Sequence, residues 1–123
     1  MGRINFVQHK GKSILIEDFT NLKPPNDMDE FLRTVKEAHQ AFASQPQKSV
    51  LAVFDVTNSS FNTEILSVLK DFTVSNTPYV KCAVIVGLTG LMKVALTTVS
   101  KLTGRSFQLF PSRQAALDFL VTQ

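Results

Sequence analysis

The chain has 123 residues, 44% of them hydrophobic and 19% charged, with ten Phe, no Trp and a single cysteine. That composition supplies one hydrophobic core, is too apolar for a disordered chain, and allows no internal disulfide. The net charge of +3 is small, and no apolar run approaches the roughly 18 residues a membrane-spanning helix needs, so the composition points away from nucleic-acid binding and from stable membrane insertion.

The first strand is predicted over 4–8 and the second over 13–18, joined by the polar, Gly-containing link His9-Lys10-Gly11-Lys12 that suits a hairpin. Pro24 and Pro25 forbid helix before about residue 26. Asp27 and Glu30 then stand three apart, as in a capping box, ahead of Met28, Phe31, Leu32, Val35, Ala38 and Phe42. Those three- and four-residue steps predict a helix to about Ser44, stopped at Pro46. Segment 49–56 is a near-continuous apolar β run, the mark of a strand covered on both faces in a parallel sheet. A second helix is expected over about 63–75, with Asn62 as its cap, and Pro78 closes that region.

Segment 80–87 repeats the buried-strand pattern. A third helix follows from about Leu91 to Leu102 and ends at Gly104. Segment 106–110 alternates like a strand, and Ser112 caps a last helix through Ala116, Leu117 and Leu120. The order β-β-α-β-α-β-α-β-α predicts an α/β domain spanning 1–123, with a mixed, mostly parallel five-stranded sheet and no internal repeat. In such sheets ligands gather beyond the carboxyl ends of the strands, here the loops after Val56 and Val86.

The first of these loops holds Asp55, Thr57, Asn58, Ser59 and Ser60. A carboxylate at the end of a buried strand is costly unless paired, so Asp55 is either a ligand-side acceptor or an acceptor for its own loop amides. The hydroxyls of Thr57, Ser59 and Ser60 precede a helix, whose amides favour an anion, so a phosphoryl group on one of them would sit in that field. The second loop, Gly87-Leu88-Thr89-Gly90, leads to a helix carrying Lys93. Gly87, Thr89, Gly90 and Lys93 are therefore candidates for ligand or partner contact, although the loop lacks the ending of a P-loop and the GxGxxG fingerprint.

Catalytic templates fail. His9 and His39 stand at no metal-ligand spacing from Cys82 or from each other, no G-x-S-x-G elbow occurs, and the acidic pairs Glu17-Asp18 and Asp29-Glu30 are adjacent, so their side chains diverge. No catalytic residue, metal site or cofactor is expected. Charge is uneven: from Phe72 onward five basic residues face one acidic, giving +4, while residues 1–71 carry eight basic and nine acidic, giving −1. The third helix carries Leu91, Met92, Val94, Ala95, Leu96, Val99 and Leu102, more apolar surface than one sheet contact requires, which is either deep burial or a surface for self-association or an apolar ligand.

The stretch from His9 to Phe19, the central Ser49–Thr57, the lead-in Pro78-Tyr79-Val80-Lys81, the exit Val86-Gly87 and the close from Phe110 to Leu120 resemble the small bacterial STAS-like proteins. These share the fold of the sporulation anti-sigma-factor antagonist and of the lipid-binding CRAL-TRIO domain. The resemblance spans nearly the whole chain. In true antagonists a phosphorylatable Ser lies in an Asp-Ser-Ser-Gly-like motif after the central strand; here Asn58 replaces the Asp and Phe61 the Gly around Ser59 and Ser60. The resemblance implies a cytoplasmic, non-enzymatic regulatory or interaction module that docks a protein partner or small ligand and self-associates as a homodimer. The alternative is a carrier of a lipid or other apolar ligand on the third-helix surface.

Overall fold

A computed structural model describes residues 2–104 and 107–123, apart from the side chains of Leu91 and Leu102. Strands β1 (Ile4–His9) and β2 (Lys12–Asp18) pair antiparallel, with His9 opposite Lys12. That register leaves a two-residue turn of Lys10 and Gly11, both at positive φ, the tight hairpin geometry whose twist matches the strands. Helix α1 spans Met28–Ala43 and buries Phe31, Thr34, Ala38 and Phe42. The capping box does not form. The Asp27 carboxylate instead accepts the Lys23 amide at 2.8 Å, closing the proline-containing turn ahead of the helix.

Strand β3 (Val50–Asp55) runs parallel to β2, and helix α2 (Thr63–Asn76) starts on Asn62, whose side chain accepts the Ile65 amide at 2.8 Å. Pro78 sits in a 3₁₀ turn over Thr77–Tyr79 that delivers β4 (Val80–Val86), parallel to β3. The β3–β4 register steps from Val50↔Val80 to Leu51↔Cys82, so Lys81 is the extra residue of a bulge and stands exposed. Helix α3 (Leu91–Thr103) stops at Gly104, which takes the left-handed conformation. The last strand, β5 (Gln108–Phe110), is shorter than its alternation predicts; Phe107 lies outside it and Ser106 outside the described residues. Helix α4 (Arg113–Leu120) is capped by Ser112, which accepts the Ala115 amide at 3.2 Å.

The sheet order is β1-β2-β3-β4-β5. Because strand side chains alternate, one set (Ile14, Ile16, Leu51, Val53, Val84, Val86) packs on Ala116 and Leu120 of α4. The other set, including Leu15, Ala52 and Ile85, packs under α1, α2 and α3. Both faces of β3 and β4 are thus covered, which is why those strands read as unbroken apolar runs. The Phe-rich composition resolves into a cluster around Phe19, whose ring lies 5.1 Å from Phe31 and 4.8 Å from Phe54. Since β2, β3 and β4 are parallel, their carboxyl ends share one rim.

Candidate functional site

At that rim Asp18 and Asp55 are opposite each other in the β2–β3 register. Each is followed by the same turn. Asp55 Oδ1 accepts the Thr57 amide at 3.0 Å and the Thr57 hydroxyl at 2.6 Å; Asp18 Oδ1 accepts the Thr20 amide at 3.0 Å and the Thr20 hydroxyl at 2.6 Å. Next come Asn21 and Asn58, both at positive φ, and the Asn58 side-chain amide donates to Asn21 Oδ1 at 2.6 Å. The tetrapeptides Asp18-Phe19-Thr20-Asn21 and Asp55-Val56-Thr57-Asn58 are therefore two copies of one Asx turn lying side by side. An internal repeat is present after all. It is four residues long, too short to show as a periodic architecture.

Two facing carboxylates need a cation, and Arg113 supplies it from the first turn of α4. Its Nε donates to Asp55 Oδ2 at 2.6 Å and its Nη2 lies 3.4 Å from Asp18 Oδ2. Arg3 adds a second guanidinium, 3.5 Å from Asp18 and bonded to Glu30 at 3.1 Å, and it also donates to the carbonyls of Asp18 and Thr20. Burial works against the Asp18 charge, but the Thr20 hydroxyl and amide, Arg113 and Arg3 outweigh it and hold this carboxyl below the usual range. Burial likewise works against the Arg113 charge, and the bonds to Asp55 and Asp18 more than restore it, raising its titration further. Asp55 itself is 4% exposed, with both oxygens bonded.

The remaining candidates distribute as follows. Ser59 is half-buried: its hydroxyl donates to the Phe19 carbonyl and accepts the Leu22 amide at 3.0 Å, stitching the two turns together. Ser60 is exposed, with its backbone amide on the Leu22 carbonyl at 3.1 Å. Gly87 has φ +84, and a Cβ there would lie 2.2 Å from Thr57 Oγ1 and 2.7 Å from Thr57 Cα, so its glycine serves the close passage of the two loops. Thr89, Gly90 and Lys93 are exposed where α3 begins. All nine candidates thus lie along the rim leaving β3 and β4. Asp18, Thr20, Asn21, Arg3 and Arg113 were missed as members. The doubled Asp-x-Thr-Asn was legible and would have given the first three, whereas neither arginine carries a local signal.

Elsewhere, His9 bonds Asp118 at 2.9 Å and His39 bonds Asn76 at 2.8 Å, ties that hold α4 to the hairpin and α1 to α2. Cys82 is half-buried beside the α4 layer. On α3, Met92, Leu96 and Val99 are buried while Val94 is 65% exposed, so the helix is partly covered and its apolar breadth partly faces solvent. Between α2, α3 and the sheet lies a cavity of about 40 Å³, lined by Phe42, Phe72, Leu96, Val99 and Phe107 with Glu17. An engineered cavity that takes benzene measures about 150 Å³. No helix among the described residues is long and apolar enough to cross a membrane.

A mixed five-stranded sheet with three helices on one face and one on the other is an α/β architecture of the SpoIIAA-like (STAS) fold. It is similar to an uncharacterised protein of the DUF3478 family with a SpoIIAA-like fold from Shewanella loihica PV-4, whose crystal structure it matches with a TM-score of 0.62 and 18% identity. The match covers 95% of this chain and 91% of that one, and at such identity it establishes the fold. No family model matches the sequence, nor does any curated protein.

Proposed function

We propose that the chain is a non-enzymatic interaction module that docks a protein partner on the carboxyl rim of its sheet. The observation that carries this reading is the state of the two rim carboxylates. Every oxygen of Asp55 is bonded within the molecule, so it is committed to shaping the loops and not to taking a proton from a substrate. The result is a rigid base beneath an exposed polar crown of Asn58, Ser60, Thr89, Gly90 and Lys93. Such pre-organised loops lower the ordering cost of binding. Of the two candidate phosphorylation sites, Ser60 presents its residue to solvent, whereas the Ser59 hydroxyl is engaged in joining the turns. A phosphate on Ser60 would place up to about two negative charges just ahead of α2.

The test is a photo-crosslinking amino acid placed at Ser60, at Thr89 and, as control, at Gln40 on the outer face of α1. In its own host, the first two positions should yield the same protein adduct and the control none. Equal labelling from all three, or no adduct at the rim, removes the proposal. Native mass spectrometry covers the carrier alternative, in which the cavity beneath α3 would have to widen: a stoichiometric co-purifying lipid would replace the docking reading.

A further inference from the structure

Helix α3 presents Lys93, Leu96, Thr97, Ser100 and Lys101 on one stripe, at steps of three and four residues, and that stripe forms one wall of a groove of about 370 Å³. The opposite wall is Phe107 and Leu109, at the β5 edge of the sheet. Leu109 is 45% exposed there. The groove floor is apolar and both ends are basic. Neither lysine joins an ion pair among the described residues. The sequence holds no acidic residue between Asp71 and Asp118, so nothing on α3 or β5 can answer them. Lys93 also stands in the first turn of α3, where the helix dipole disfavours a cation. The fold gains nothing from Lys93, whereas Lys101 stands in the last turn, where the dipole favours a cation.

We infer that the α3–β5 groove receives an extended acidic segment of a protein partner, laid beside β5 as an added strand. Spacing sets the motif. Lys93 and Lys101 are eight residues apart on a helix, about 12 Å at 1.5 Å per residue. An extended chain covers about 13 Å in four residues at 3.3 Å each, and residues i, i+2 and i+4 share one face. The fitting segment therefore has acidic residues four apart, one for each lysine, and an apolar residue midway that settles between Leu96 and Leu109. An extended form is favoured over a helical one because β5 ends the sheet, leaving its outer backbone side for strand addition. This groove is a second contact surface, separate from the Asp55 and Ser60 loops and meeting the rim at Leu88 and Lys93.

The probe is a fluorescent peptide with two glutamates four residues apart and a valine midway, titrated into the intact protein. Saturable binding is expected, weakened by salt, with amide shifts at Thr97 and Leu109. The double variant Lys93→Glu/Lys101→Glu should bind about tenfold more weakly or worse, since two attractions become repulsions. Lys101→Glu alone and Leu109→Ser should each weaken it, whereas Ser60→Ala should bind like the parent; both lysines are exposed, and an unchanged melting temperature certifies folding. Equal binding of a peptide with lysines for glutamates, no loss in the double variant, or shifts confined to the Asn58–Ser60 loop would overturn the inference. So would binding of a helical acidic peptide or of anionic vesicles in place of the extended probe. Loss of rim crosslinks with intact peptide binding would sink the rim reading alone.

Discussion

Asp18 and Asp55 close two neighbouring parallel strands at the same level and share the guanidinium of Arg113, 2.6 Å from Asp55 and 3.4 Å from Asp18. Each carboxylate also folds its own Asx turn, so the paired turns and the start of α4 form one electrostatic unit. The rim takes its shape from bonds within the chain itself.

Arg113→Ala should leave the nearly buried Asp55 without its counter-ion. Breaking a buried pair from one side costs about 3–5 kcal/mol, and the 41% exposure of the Arg113 side chain argues for the lower end of that range. Urea denaturation measures it. Arg113→Lys should recover part of the loss, because a single ammonium cannot serve both aspartates as the fork does. A change under about 0.5 kcal/mol in the alanine variant would show the cluster to be incidental.

Gly87→Ala should destabilise by about 2–4 kcal/mol, because it combines a φ of +84° with a methyl group pressed on the Thr57 backbone. The melting temperature should drop on the order of 10 °C. Gly11→Ala makes the control: it too has positive φ (+82), but with open space around the added methyl, and it should lose distinctly less.

Stability should depend on the Asp18 charge with a definite sign. Its carboxyl is held below its ordinary value in the folded chain, so the unfolded chain takes up the proton first as pH falls. The contribution is thus complete above about pH 5, the upper side of an unfolded aspartate's titration, and is lost as pH drops through the folded value. In chemical denaturation, the stability gap between the parent and Asp18→Asn should narrow steadily on acidification. A gap that widens on acidification contradicts the assignment.

Ser59→Ala and Ser60→Ala should part company. Losing the Ser59 hydroxyl strands the Leu22 amide and the Phe19 carbonyl, at a cost of about 1–3 kcal/mol. Ser60→Ala should stay within about 0.5 kcal/mol, as an exposed position does. Thermal unfolding of the two variants side by side makes the comparison.

The residues by themselves determined the element order, the buried parallel pair β3 and β4, the helix caps at Asn62 and Ser112, the glycine stop at Gly104 and the rim on which the candidates lie. These rest on local rules, periodicity and capping chemistry, which act over a few residues. Asp27 shows their limit: its spacing to Glu30 fits a capping box, yet the nearby Lys23 amide claims its carboxylate. What only the tertiary structure decided is the role of Asp55. Its partner Arg113 is 58 residues away, and its neighbour Asp18 meets it only because β2 and β3 pair in one particular register. Register and helix docking are settled by burying both faces of the sheet at once, a property of the whole chain that no short segment carries.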